Sequence, residues 1–303
     1  MNNEFVLIGA PSSAGAHAPG QEKAPVLLRE SGILECFSET GLNVLDSGNL
    51  PGFRYRSDPS SPRARNVQFV ADNARRVADA VADALGDGKR YIVLGGDCTN
   101  GAGAIAGATR DNSIRTGVIY LDMHGDLNTP ESVSTGALDW MGVAHLLGME
   151  GTTPQFANFD GRKPVLQNDQ VVLLGWDYEA SNSDWERGTI IRRNINVVNL
   201  DELKADPSAA AKRALTLLCP VDRVVVHFDV DVIDFAECPL SENYQHGTGC
   251  TLDQAMSALS VIASKQEFAG VTVTEINPDH GEEAFATLKR FSKSFARALA
   301  HGT

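Results

Sequence analysis

The sequence predicts an α/β fold, a single domain spanning 1–303 with one parallel sheet of about eight strands and helices on both faces. Three observations carry this expectation. Short runs rich in Val, Ile and Leu recur at 4–8, 91–94, 171–174, 197–200, 223–228 and 270–274, and another closes at Tyr120-Leu121. Stretches of helical periodicity lie between several of them. No internal repeat, low-complexity tract or linker interrupts the alternation.

The elements follow in order. Strand 4–8 feeds the turn-rich loop Gly9-Ala10-Pro11-Ser12-Ser13-Ala14-Gly15. From about Pro62 to Leu85, the residues Val67, Val70, Ala74, Val77, Ala78, Val81 and Leu85 fall at helical spacing, and Gly86-Asp87-Gly88 stops the helix. Strand 91–94 ends in Gly95-Gly96-Asp97-Cys98-Thr99, with a small-residue helix over about 100–108. Strand 171–174 ends in Gly175-Trp176-Asp177, and the short strand 197–200 precedes an alanine-rich helix near 208–218. Thr251-Leu252-Asp253-Gln254 has the form of a capping box opening a helix to about Ser264. The last strand, 270–274, ends in Glu275-Ile276-Asn277-Pro278, and a helix over about 282–299 closes the chain.

Two of these strand ends concentrate metal-binding residue types. Tyr120-Leu121 runs into Asp122-Met123-His124-Gly125-Asp126, where extended backbone would place Asp122, His124 and Asp126 on one side. The run 223–228 leads into Asp229-Val230-Asp231, where Asp229 and Asp231 share a face by the same rule. Each segment alone is equally consistent with capping or turn residues. Together, so many carboxylates at buried strand ends call for a cation, because unpaired buried charge costs several kcal/mol or more. Two divalent ions balance it.

These motifs resemble those of the arginase (ureohydrolase) family: D-x-H-x-D at Asp122, His124 and Asp126, D-x-D at Asp229 and Asp231, and G-G-D at Gly95-Gly96-Asp97. The N-terminal Gly9-Ala10-Pro11, Gly20, Pro25, Leu28-Arg29 and Asp46-Ser47-Gly48-Asn49-Leu50 extend the similarity along most of the chain. The resemblance implies an arginase-like fold and a binuclear centre of two divalent ions, manganese in the family. Asp122 and Asp229 would bridge both ions, Cys98 and Asp126 would complete the first, and His124 and Asp231 the second. It further implies catalytic roles for Asp126 and Glu275, the latter gripping a guanidinium. Asn128, Thr135, Asp177 and Glu179 would bind the rest of the substrate. The implied reaction is attack of a shared, acidified water on a guanidino carbon, giving an amine such as ornithine plus urea or a urea derivative. Arginine and Nω-hydroxy-L-arginine are the substrates considered.

This chain departs from the family pattern at several points, among them Thr135 in place of a serine and Ala137, which does not match. Cys98 stands where a ligand histidine is expected, which leaves the metal identity open. Asp139 occupies the place of the proton-shuttling histidine, and Asp234 is not followed by proline. The alternative is an impaired subunit or binding protein that keeps the fold.

Composition bounds the partners. A net charge of -13 and a pI near 4.9 argue against nucleic acid and anionic membranes, and favour a small cationic substrate. No run approaches the ~18 apolar residues of a membrane span. A phosphoesterase would need Arg or Lys beside the ligands, and none closely flanks the motifs on their binding side. The cysteines Cys36, Cys98, Cys219, Cys238 and Cys250 are odd in number, scattered and without a C-x-x-C pair, which points to a reducing cytoplasm. A homo-oligomer, trimer or hexamer, is the family's habit.

Overall fold

The apolar runs become strands because both of their faces are covered, the usual condition for a parallel sheet. The computed structural model describes residues 4–180, 183–218, 220–244, 246–281 and 283–300. The first half comprises β1 (Glu4–Gly9), α1 (Ala24–Glu30), α2 (Ile33–Glu39), β2 (Asn43–Asn49), α3 (Val67–Gly86), β3 (Arg90–Leu94), α4 (Thr99–Ala108) and β4 (Thr116–Leu121). Then come α5 (Gly142–Leu146), α6 (Pro154–Ala157), β5 (Val171–Trp176), α7 (Asp184–Arg193), β6 (Asn196–Asn199), α8 (Leu200–Ala205) and α9 (Pro207–Leu217). β7 (Arg223–Asp229), α10 (Leu252–Ala263), β8 (Phe268–Thr274) and α11 (Ala284–Ala300) complete the described residues.

The eight strands form one sheet in the order β2-β1-β3-β8-β7-β4-β5-β6, and every pairing is parallel. Side chains alternate between two cores. Leu7, Ile92, Leu121, Val226 and Phe228 pack with α1, α2 and α8 to α11, whereas Ile8, Val93, Tyr120 and Val225 pack with α3 to α7. The order doubles back at the centre, where the late strands β8 and β7 separate β3 from β4. Ligands of open α/β sheets bind beyond the carboxyl ends of strands at such a switch.

Four adjacent strands therefore deliver residues to one place. Cys98 follows β3, Glu275 follows β8, Asp229 ends β7 and Asp122 follows β4. The register is close, with Asp229 level with Thr274 and Leu121 level with Phe228.

Several elements differ from expectation. α3 begins at Val67, not near Pro62, because Asn66 adopts a left-handed φ of 53° that no helix continues through. β2 carries no apolar run, since it is an edge strand whose residues are mostly exposed. β6 ends one residue before Leu200, where the Asn199 side chain caps α8. The capping box at Thr251 and Gln254 is present and opens α10. The expected start of the last helix at residue 282 lies outside the described residues.

Candidate metal centre

The sheet's carboxyl edge supports the centre through one turn used twice. β4 stops at Leu121, and Asp122 Oδ1 accepts the His124 backbone N–H at 2.6 Å. β7 stops at Asp229, and Asp229 Oδ1 accepts the Asp231 N–H at 2.8 Å. These turns, and not strand alternation, bring the side chains together. Beyond Leu121 the backbone bends, and Asp126 has a left-handed φ of 49°. The expectation of an extended Asp122–Asp126 segment is thus corrected. Glu275, at φ 63°, is also left-handed. A non-glycine residue held there costs about 1–3 kcal/mol, a strain that gathers at functional sites.

Two groups of potential ligand atoms result. Cys98, Asp122, His227 and Asp229 offer atoms within 4.8 Å of one another, and so do Asp122, His124 and Asp231. Asp122 is common to both. All six residues are buried. Cys98 Sγ is 3.1 Å from Asp229 Oδ2, and His124 Nδ1 is 3.0 Å from Asp231 Oδ2. Asp122 Oδ2 and Asp231 Oδ1 are buried without a hydrogen-bond partner. Orphaned carboxylate oxygens of this kind are costly in a protein interior and are what a hard cation takes up. The residues fit divalent metal.

The electrostatics of the polypeptide alone agree. Burial, helped by the charge of Asp231, pushes Asp122 up to about 7. Burial and then the charges of Asp231 and Asp122 hold Asp229 well above the usual carboxylate range. Burial followed by Asp229 and Glu275 raises the Cys98 thiol in the same way. Against its own burial, His124 is held well above its ordinary value by Asp231 and Asp122. His124 offsets part of this crowded carboxylate charge, and Asp229 remains raised by its neighbours.

A cavity of about 260 Å³ opens onto the group, lined by Cys98, His124, Asp126, Asp139, Asp229, Asp231 and Glu275 together with His17, Trp140, Glu242, Asn243 and Tyr244. No Arg or Lys lines it. Asp126 borders this cavity outside both ligand groups, with Oδ2 accepting the Tyr120 hydroxyl. Glu275 is fixed at both oxygens, Oε1 by the Cys98 backbone N–H at 2.7 Å and Oε2 by Gln21 Nε2 at 3.1 Å. Asp139 is buried, accepts the Trp140 N–H, and is raised well above its usual value by burial and then Glu275. Asp97 clamps the N-terminal loop by accepting the Gly15 N–H at 2.8 Å.

The expected substrate-binding residues sit elsewhere. Asn128 is buried and fully engaged, donating to Glu186 Oε1 at 3.1 Å while Ser132 and Ser183 donate to its Oδ1. Thr135 Oγ1 accepts the Ala137 N–H, and Asp177 Oδ1 accepts the Glu179 N–H, both turn contacts. None of the four, Asn128, Thr135, Asp177 and Glu179, is among the cavity-lining residues. His17, Glu242, Tyr244 and His227 were not anticipated. The first three come from loops without periodic signal, and His227 is hidden in an apolar run.

Fold and site together define a parallel α/β protein with a buried candidate centre for divalent metal. The Arginase family model matches residues 3–299, and the chain belongs to that family. Human Arginase-1 is 27% identical over 297 residues, covering 97% of this chain and 91% of the relative. The structure of the Bacillus caldovelox arginase is 25% identical with a TM-score of 0.86, covering 98% of both chains. The fold is also that of the Bacillus subtilis formimidoylglutamase, at 18% identity and a TM-score of 0.72 over 99% of this chain and 87% of that one.

Proposed function

We propose that the protein is a binuclear amidinohydrolase that cleaves the guanidino group of an arginine-like substrate, arginine or Nω-hydroxy-L-arginine, to ornithine and urea or a urea derivative. The observation that carries this reading is the cavity walled by Asp126, Asp139, Glu242 and Glu275, without Arg or Lys, directly over the ligand groups. Such a lining attracts a cation and repels a phosphoester.

By the family pattern Asp122 and Asp229 would hold both ions, with Cys98 on the first, His124 and Asp231 on the second, and Asp126 beside the first. The ions, manganese by family habit, supply the acidification and aiming of a shared water when bound. Asp126 accepts the Tyr120 hydroxyl at Oδ2, which leaves Oδ1 to accept a proton from a water at the site. Glu275, pinned by Cys98 N–H and Gln21, holds the guanidinium. Asp139, whose carboxyl is raised by burial and then by Glu275, faces the cavity as the group to deliver a proton to the leaving nitrogen. Asn128, Thr135, Asp177 and Glu179 remain, by the family resemblance alone, candidates for the amino-acid end of the substrate.

The same reading takes residues 1–303 as one domain, working in the cytoplasm as a homotrimer or homohexamer. No described helix is long and apolar enough to cross a membrane. The test is a screen of guanidino compounds for amine and urea release with manganese, iron, cobalt, nickel and zinc supplied in turn. Release from arginine or its N-hroxylated form supports the reading. Two bound metals with no turnover of any guanidino compound favours the impaired-subunit alternative.

A further inference from the structure

Cys98 brings a thiol to a position where an imidazole is expected, and the fold brings an imidazole from elsewhere. His227 lies on β7 two residues before Asp229, fully buried on the α4 side of the sheet. Its Nε2 is 3.3 Å from Cys98 Sγ, and a ring nitrogen of His227 groups with Cys98, Asp122 and Asp229 within 4.8 Å.

The ring is held as a ligand would be. It stacks on Tyr120, centroids 4.0 Å apart and planes 11° from parallel. α4 makes room for it, because a Cβ on Gly101 would come within 2.0 Å of His227 Nδ1. Apart from Cys98, Nε2 meets only Thr274 Oγ1, at 3.3 Å, and Nδ1 is buried without a hydrogen-bond partner. An imidazole buried with so little hydrogen bonding costs a few kcal/mol unless another interaction offsets it.

We infer that His227 is a ligand of the first metal ion, supplying from β7 the nitrogen donor that Cys98 removes from the end of β3. The inference rests on the two-metal reading above. It gives the first ion Cys98, His227, Asp122 and Asp229, and leaves Asp126 free to attend the water. Thiolate and imidazole together make this the softer of the two sites, inclined to zinc, cobalt or iron, while Asp122, His124 and Asp231 form the harder one.

The probe is cobalt. X-ray absorption of the cobalt-loaded wild type is expected to show two imidazoles and one thiolate per pair of ions; a single imidazole, from His124 alone, overturns the inference. His227→Ala is expected to lose the thiolate-to-cobalt absorption band and to weaken the first ion by more than about a hundredfold, beyond the ~10–100-fold typical of an outer partner. The double variant Cys98→His with His227→Ala is expected to bind two ions again. Two ions of unchanged affinity in His227→Ala defeat the inference and leave the two-metal reading intact, whereas a wild type that binds no cobalt defeats both. Should His227→Ala fail to fold, the wild-type absorption decides.

Discussion

Cys98 Sγ stands 3.1 Å from Asp229 Oδ2, a contact that joins the ends of β3 and β7 across β8. In the metal-free polypeptide the thiol donates to the Asp229 side chain, and burial raises both groups above their ordinary ranges. Metal uptake has to displace the thiol proton. The contact therefore ties the chain's main departure from the family pattern to a residue expected to bridge both ions.

Asp122→Asn and Asp229→Asn are each expected to abolish hydrolysis and to weaken metal binding by more than ~100-fold, since each carboxylate serves both ions. Metal titration by calorimetry checks this. In the wild type, Asp122 is raised to about 7. Its proton is retained below that pH and must leave before the carboxylate can bind, so metal affinity is expected to fall as pH drops below about 7. A variant with two tightly bound ions and normal turnover contradicts the bridging assignment.

Glu275→Gln is expected to leave two metals bound while kcat/KM for a guanidino substrate falls by about 10–100-fold, the loss of a charged hydrogen bond worth ~1.5–3 kcal/mol. Metal analysis and kinetics on one preparation separate the effects. Loss of metal instead would mean that Glu275 acts by placing Cys98 through its backbone N–H.

A metal-bound Cys98 thiolate would make the ligand set more electron-rich and loosen the hold on an added oxygen ligand. The wild type is therefore expected to turn over Nω-hydroxy-L-arginine at least as well as arginine, and Cys98→His to shift preference toward arginine. The readout is the ratio of the two kcat/KM values at matched metal occupancy. Equal ratios in the two proteins defeat the idea.

A pH effect is expected away from the metals. His145, in α5, is wedged between Met141 O and Thr153, and burial holds it down to about 4. The unfolded chain takes up this proton near 6.5, so between 6.5 and 4 the native state binds fewer protons. Stability is thus complete above 6.5 and declines as pH falls toward 4, by about 3 kcal/mol in all. Thermal melts of wild type and His145→Asn at pH 7 and pH 5 check this. A wild type no more sensitive to this step than the variant refutes it.

Much of the fold was readable because strands buried on both faces are dominated by apolar residues, as 91–94 and 224–226 are. β2 was not, because an edge strand exposed along its length has no such constraint. In the site, Asp122, His124, Asp229 and Asp231 announced themselves as charge at the ends of apolar runs. The device that gathers them, a side chain capping its own turn, looks like alternation in sequence. His227 reads as one polar residue in a core strand, and only the absent side chain of Gly101, on a distant helix, marks its importance. His17, Glu242 and Tyr244 reach the cavity from irregular loops whose paths no periodicity encodes.

The most direct measurement is turnover as a function of metal content: metal-free protein is titrated with manganese, and ornithine release from arginine and Nω-hydroxy-L-arginine is followed at each occupancy. The account predicts negligible release without metal and a rise that levels off at about two ions per chain. Release that is independent of metal, or none from either compound with two ions bound, would contradict it.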